Sequence, residues 1–295
     1  MKTQNLKKSP ALVLSIYALA LLLFLLALFL LTGCRSESGP TLTPLTVTVL
    51  RVGKADAIVA LSGSHALIID AGEEEDGQEV VDFLQKRNVQ TVDAMIITHF
   101  DRDHVGGADT VLEEFPVEAV YVPAYEGTNS EYRDFLAAAE NTAISLTRLT
   151  EPVSFRFGDA EVLVEPPDSY EIPADALEYD NNFSLITTIV HGQNRLVFMG
   201  DAEKQEIRQW MADGHAQHCD FLKVPHHGIY NGALKELFPA LSPEYAVICS
   251  SKKNPAEAKT LELLQENCPN IYETRNGNVL VISDGQQLEV RQKTN

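Results

Sequence analysis

The segment from Thr98 to Gly107, THFDRDHVGG, constrains this chain more than any other part of its sequence. The preceding run from Val92 to Ile97 is largely apolar and predicts a buried strand. Polar residues at the end of such a strand are held at one edge of a sheet. The segment therefore predicts a metal site in an α/β fold rather than a solvated turn. The candidate ligands are His99, Asp101, Asp103 and His104.

Two further apolar stretches end in residues of the same chemical type. Asp201 follows one of them, and the pair His226 and His227 follows the other. Because a cage for two metal ions needs more donors than one loop can aim, donors from three strand ends predict a shared site. For Asp201, the alternative is that it caps the helix that follows it.

Strand and helix patterns alternate along the body of the chain in two similar halves. Roughly 260 residues follow the N-terminal segment, which is enough for one large α/β domain, expected over residues 45–295. The order fits two sheets, each covered by helices on its outer face. Strands are predicted over residues 45–52, 56–61, 65–70, 92–97, 117–122, 153–157, 161–165, 184–190, 195–199, 220–224, 244–249, 270–274, 278–283 and 287–290, and helices over 78–87, 108–114, 131–140, 202–211 and 256–265.

The first 33 residues are typical of a secretory signal peptide, with a basic start and an apolar run from Ala11 to Leu31. The tetrad LTGC at residues 31–34 resembles the lipobox of bacterial lipoproteins, which implies that Cys34 carries a lipid and begins the mature chain. An uncleaved membrane anchor is the alternative, since the run is long enough to span a bilayer. Either way, the body is expected outside the cytoplasm at the bacterial cell membrane, with residues 34–44 as a tether.

The chain is strongly acidic. Its formal net charge is −19, and removal of the leader, which holds three lysines and no acid, would leave −22. Such a surface repels a phosphate backbone unless metal ions or a local basic strip intervene. A nucleic-acid substrate is therefore expected to be met at the metal site.

The order of these motifs resembles the metallo-β-lactamase fold superfamily, a four-layer αββα sandwich with a binuclear metal site at the edge of two sheets. The superfamily pattern HxHxDH appears as HFDRDH from His99 to His104, with Asp101 in place of the second His. Nearly all of residues 45–290 resemble the extracytoplasmic hydrolase domain of ComEC-type competence proteins. The segments that carry this resemblance are VGKADA at 52–57, NFSL at 182–185 and KVPHHG at 223–228.

The resemblance also implies roles for individual residues. The ligands of two divalent cations would be His99, Asp101, Asp103, His104, Asp201 and one of His226 and His227. Asp70 matches a residue that orients ligands from behind, Asp56 would lie near the metals, and Asn182 stands roughly where many relatives carry another His. Because carboxylates are numerous in this set, Mn²⁺ is a candidate beside Zn²⁺.

A site of this kind would activate a water near neutral pH, and the resemblance implies that the bond attacked is a phosphodiester of DNA or of a cell-wall polymer. Asp103 would orient the nucleophile, and Lys223 or the second His of the pair would stabilise the leaving group. Lys223 could equally face solvent. Ile229 replaces a Ser of the ComEC pattern, and residues 254–257 lack its His. These departures keep a second hypothesis open, a low-turnover metal-binding accessory or binding module, for example in DNA uptake.

Overall fold

A computed structural model describes residues 42–171 and 180–293. The predicted signal peptide, the lipidation residue Cys34 and most of the tether lie outside the described residues. Within the two described ranges, no helix has the length and apolar character needed to cross a membrane.

The described residues form two β-sheets. In chain order the strands are β1 Leu45–Val49, β2 Ala57–Ser62, β3 His65–Ala71, β4 Ala94–Ile96, β5 Val120–Pro123, β6 Leu146–Leu149, β7 Val153–Phe157, β8 Ala160–Glu165, β9 Ile186–His191, β10 Asn194–Phe198, β11 Phe221–Lys223, β12 Tyr245–Ile248, β13 Asn270–Glu273, β14 Val279–Ser283 and β15 Leu288–Gln292. One sheet has the order β15-β14-β1-β2-β3-β4-β5-β6, and the other has the order β13-β12-β11-β10-β9-β8-β7.

Because several neighbouring strands in each sheet are parallel, their carboxyl ends lie along the same edge of the sheet. In the first sheet β3, β4, β5 and β6 run parallel, and in the second sheet β10, β11, β12 and β13 do so. Connections that leave the carboxyl ends of neighbouring parallel strands lie side by side, and this is where α/β folds place their sites.

Helices connect the strands. They are α1 Gly77–Gln85, α2 Arg102–Val105, α3 Ala108–Glu114, α4 Ser130–Asn141, α5 Lys204–Ala212, α6 Leu234–Leu241 and α7 Ala258–Asn267, with short 3₁₀ turns at Glu74–Asp76, Asn181–Phe183, His226–Gly228 and Thr274–Asn276. The apolar faces of α1, α3 and α4 pack on the first sheet, and those of α5, α6 and α7 pack on the second.

A third apolar core lies between the sheets. Val47 and Ile69 of the first sheet and Phe198 and Val247 of the second belong to it. Since both faces of the central strands are covered, their sequences are nearly continuous apolar runs rather than alternating ones. The expected four-layer αββα sandwich is therefore confirmed.

The sequence patterns missed one strand, β6. Its sequence is Leu-Thr-Arg-Leu, and the side chains of Thr147 and Arg148 are exposed because β6 is the edge strand of its sheet. An edge strand of this length has no apolar run to reveal it.

Candidate metal centre

The segment that follows β4 supplies the first side of the site. Thr98 donates its backbone N–H to Asp70 Oδ1 and its hydroxyl to Asp70 Oδ2, each at 2.7 Å. Asp70 Oδ2 also accepts a hydrogen bond from His104 Nδ1 at 2.8 Å, and the Thr98 hydroxyl oxygen lies 3.0 Å from His99 Nδ1. With the Nδ1 atoms acting as donors, the Nε2 atoms of both histidines are the ones left to bind a metal.

Asp201 connects this side to the segment that follows β11. Its Oδ1 atom lies 3.3 Å from His104 Nε2, and its Oδ2 atom lies 3.1 Å from His227 Nε2. His227 Nε2 is also 3.3 Å from Asp103 Oδ2. Asp201 is not the cap of α5, because Glu203 occupies that position and accepts from the Lys204 N–H. The capping interpretation of Asp201 is therefore wrong.

The chemistry of this donor set fits a divalent cation. Within the described residues, the Nε2 atoms of His99, His104 and His227 are buried and make no hydrogen bond. A buried polar atom without a partner costs about 1–3 kcal/mol, so three in one cluster require an explanation. Imidazole nitrogens beside carboxylate oxygens are the donors that Zn²⁺ and Mn²⁺ accept. Three sets of donor atoms lie within 4.8 Å of one another, namely His99 with His104 and Asp201, Asp103 with His104 and His227, and Asp56 with Asp70 and His104.

Mutual attraction between imidazoles and carboxylates sets the pKa values of this cluster. Burial alone would raise the pKa of Asp201, but the charges of His227, His104 and Lys223 hold it well below its usual value. Burial would likewise lower the pKa of His104, yet the carboxylates of Asp201 and other buried acids raise it well above its usual value. The carboxylates therefore favour positive charge among them, which a metal ion can supply in place of protons.

Asp101 lies at the rim of the site and not among the converging donors. Its Oδ2 atom is 3.7 Å from His99 Nε2, and 41% of its side chain is exposed. Asp180, which the sequence analysis missed, lies beside it, and burial together with the charge of Asp101 raises the pKa of Asp180 to about 6. Asp180 could have been singled out from the sequence because it directly precedes the Asn181–Asn182 pair.

The two adjacent histidines have different surroundings. His227 reaches the converging donors, whereas His226 donates from Nδ1 to Glu203 Oε1 at 2.7 Å and accepts at Nε2 from Asn181 Nδ2 at 3.1 Å. His226 Nε2 is 3.9 Å from Asp201 Oδ2. His227 is therefore the better placed of the pair to bind a metal.

Asn181 is a residue near the metal centre that the sequence analysis did not single out. Asn181 contacts His226 through its amide nitrogen. Asn182 lines a second cavity together with Glu206 and Trp210. The structure thus adds Asn181 to the candidate site, and the role predicted for Asn182 stays a prediction.

Lys223 differs from one of the two sequence expectations. Its side chain has no exposed surface, so the solvent-facing alternative is wrong. Its Nζ atom forms an ion pair with Asp56, donates to the Gly200 carbonyl at 2.8 Å and lies 3.5 Å from Asp201 Oδ1. Because its ammonium group contacts two carboxylates and a carbonyl behind the cluster, these contacts favour a positioning role for Lys223, and its predicted role toward a leaving group stays a prediction.

Lys54 is the cation at the mouth of the site, and the sequence analysis did not single it out. Its Nζ atom lies 2.7 Å from Asp103 Oδ2, and 37% of its side chain is exposed. Burial would lower the pKa of Lys54, but the hydrogen bond and charge of Asp103 raise it. Its position in VGKADA, one of the segments that carry the family resemblance, could have drawn attention to it.

Comparison with protein families identifies this arrangement. Residues 50–252 match the model of the metallo-beta-lactamase superfamily. The chain belongs to this superfamily. The matched range contains all of the converging donors described above, from Asp56 to His227.

Relatives of this metallo-beta-lactamase superfamily chain include competence proteins. It is 29% identical over 210 residues to ComE operon protein 3 of Bacillus subtilis (strain 168), covering 69% of the chain and 26% of that protein. It is 27% identical over 266 residues to Competence protein ComA of Neisseria gonorrhoeae, covering 84% of the chain and 35% of that protein. The chain thus spans only about a quarter to a third of these curated relatives. The expected relation to the superfamily and to competence proteins is confirmed.

Solved structures show the same fold. The metallo-beta-lactamase fold protein YhfI from Bacillus subtilis superposes with a TM-score of 0.54 at 10% sequence identity, covering 84% of this chain and all of that one. At this identity the likeness establishes the fold alone.

Proposed function

We propose that this chain is a metal-dependent phosphodiesterase or nuclease held outside the cytoplasm at the bacterial cell membrane by a lipid on Cys34. One observation carries the enzymatic part. Nitrogen and oxygen donors from three separate strand ends converge, and three of their imidazole Nε2 atoms make no hydrogen bond within the described residues. The phosphodiester part draws on the similarity to Competence protein ComA and on the resemblance to the hydrolase domain of ComEC-type competence proteins.

Two divalent cations, Zn²⁺ or Mn²⁺, would share this donor set. The residues that would hold them are the converging donors His99, Asp103, His104, Asp201 and His227, while Asp101 stays at the rim. When bound, the cations supply positive charge that lowers the pKa of a water and neutralises charge on the attacked group.

The protein's own groups fix the geometry in which that chemistry occurs. Asp70 orients the His104 ring through Nδ1, and Lys223 holds Asp56 and Asp201 from behind. Asp103 would accept a hydrogen bond from the attacking water. Lys54 is half-exposed beside Asp103, so it can bind a non-bridging oxygen of an incoming phosphodiester.

The test uses the full-length chain in detergent, supplied with Mn²⁺ or Zn²⁺. The substrates are bis(p-nitrophenyl) phosphate, a short single-stranded oligonucleotide and a teichoic-acid-type polymer, whose relative rates identify the preferred class. Asp103→Ala is expected to lower the rate at least about 10²-fold. Asp134→Ala, an exposed aspartate on α4, is the matched control and should retain full activity. If the folded, metal-loaded chain cleaves none of the three substrates, the proposal is wrong.

The anchor is tested separately. Cys34→Ser should abolish incorporation of labelled lipid and change the electrophoretic mobility of the mature chain. Unchanged labelling and mobility would contradict the lipoprotein assignment and favour an uncleaved anchor.

A low-turnover accessory or binding module is the second candidate. It is favoured by Ile229, 40% exposed directly after the His226–Gly228 turn where the related pattern has a hydroxyl group. Tight binding of metal and oligonucleotide with no cleavage of any substrate would support it.

A further inference from the structure

A cavity of about 460 Å³ near the metal centre is lined mainly by basic residues. Four of its seven lining residues are cations and none is an acid. We call it the cation cavity, and its lining consists of Arg51, Gly53, Ser250, Ser251, Lys252, Lys253 and Arg275. In a chain with 23 basic and 42 acidic residues, an acid-free cavity of this kind is unexpected.

The sheet topology places the cation cavity beside the metal centre. Asp201 follows β10 and His227 follows β11, whereas Ser250 to Lys253 follow β12 and Arg275 follows β13. These four strands are adjacent and parallel, so the four connections lie at one sheet edge. With strands about 4.8 Å apart, the cavity is roughly 5–15 Å from the converging donors.

A direct link runs along the chain as well. Gly53 lines the cation cavity, and the next residue, Lys54, contacts Asp103 in the metal centre. The cation cavity and the metal centre therefore share the segment Gly53–Lys54.

The positive charges of the cation cavity are largely uncompensated. Lys252 and Lys253 are exposed, and among the described residues no carboxylate lies within 4 Å of their ammonium groups. Arg275 pairs with Glu273, and Arg51 also lines a neighbouring acidic cavity with Glu75. Like charges kept together without partners are suited to an anion that approaches from solvent.

We propose that the cation cavity binds a phosphate of a polymeric phosphodiester, a few units along the chain from the bond held at the metal centre. Successive phosphates of a nucleic-acid strand are at least about 3.4 Å apart, so a gap of roughly 5–15 Å spans only a few units. The inference rests on the proposed function and narrows its substrate class to a chain of phosphates, since a molecule with a single phosphate cannot occupy both places.

The test compares Lys252→Gln/Lys253→Gln with Lys86→Gln/Lys235→Gln in the full-length chain. Both double variants remove two exposed lysines, and only the first pair lines the cation cavity. Fluorescence anisotropy measures binding of a short single-stranded oligonucleotide in EDTA over a range of KCl concentrations. Loss of the contact to one phosphate should reduce the slope of log K against log salt by about 0.7 for a single strand. The control should keep the wild-type slope, and both variants should hydrolyse bis(p-nitrophenyl) phosphate at the wild-type rate in Mn²⁺.

The outcomes separate this inference from the proposed activity. A wild-type slope in the Lys252→Gln/Lys253→Gln variant, or an equal loss in the control, overturns it even if hydrolysis is intact. A reduced slope supports it even if no substrate is cleaved, in which case only the proposed activity fails. Co-sedimentation with phosphatidylglycerol vesicles tests a membrane role. If the variant loses vesicle binding and keeps the oligonucleotide slope, the cavity faces lipid and the inference is wrong.

Discussion

Replacement of Asp70 by Asn tests whether a buried carboxylate sets the protonation pattern of the metal centre. Asp70 has no exposed surface and accepts three hydrogen bonds, from the Thr98 N–H, the Thr98 hydroxyl and His104 Nδ1. The amide introduced by Asp70→Asn would keep an oxygen for the Thr98 N–H but present an NH₂ group to the other two partners. A hydrogen bond to a charged group contributes about 1.5–3 kcal/mol. We expect Asp70→Asn to lower the free energy of unfolding by about 2–4 kcal/mol.

Asp70→Asn should also weaken metal binding. An amide donor facing His104 Nδ1 moves the imidazole proton to Nε2, the atom that lies 3.3 Å from Asp201 Oδ1. A protonated Nε2 cannot bind a metal. Loss of such an orienting partner typically lowers metal affinity by about 10- to 100-fold, and we expect a decrease of this size for Asp70→Asn.

Calorimetric titration with Mn²⁺ and Zn²⁺, together with urea unfolding of the metal-free chain, measures both effects. Asp93→Asn is the matched control, because Asp93 also accepts from a backbone N–H, that of Ala66, and contacts a His Nδ1, that of His65, away from the site. Asp93→Asn should leave metal affinity unchanged. Wild-type metal affinity in Asp70→Asn would refute the tautomer argument and leave Asp70 a purely structural role.

Three further changes test other parts of the structure by urea unfolding. Lys223→Met leaves two buried aspartates without their cation and should cost about 3–5 kcal/mol; a fully stable variant with reduced turnover would instead support a catalytic role. Gly107→Ala places a Cβ atom 2.5 Å from backbone atoms and should lower the free energy of unfolding by about 1–3 kcal/mol or more. In Gly232→Ala the Cβ atom meets no atom within 4 Å, so the free energy of unfolding should not change. Burial and nearby glutamates raise the pKa of Asp76 to about 6, so the native state binds this proton more tightly than the unfolded state and stability falls as pH rises from about 4 to about 6. Asp76→Asn should therefore raise the free energy of unfolding by on the order of 1 kcal/mol at pH 7, after allowance for partial exposure, and should not change it at pH 3.5. The exposed control Asp82→Asn should not raise it at either pH.

Most of the fold could be predicted because its central strands are covered on both faces and its helices on one. Strand β7 at Val153–Phe157 and helix α3 at Ala108–Glu114 have the predicted bounds, since apolar spacing alone defines them. Strand β6 could not be found, because an edge strand with exposed Thr147 and Arg148 has no such pattern.

The candidate site was predictable in its segments but not in its side-chain directions. Strand ends identified the right connections. However, His226 and His227 both have positive φ, 47° and 51°, so the alternation of an extended chain does not tell which ring turns toward Asp201. Lys223 illustrates the same limit, because its burial depends on Asp56, a partner far away in the sequence.

Net charge was the least informative part of the sequence, for a physical reason. At physiological ionic strength the Debye length is about 8 Å, so acids on distant faces are screened from a substrate at the site. Only groups within that distance act strongly on it. At the edge where β10 to β13 end, Lys54 lies within that distance because it contacts Asp103, and the cavity lined by Lys252 and Lys253 lies roughly 5–15 Å from the converging donors. A chain of net charge −19 can thus present a locally positive approach to an anionic polymer, while its remaining surface disfavours binding elsewhere.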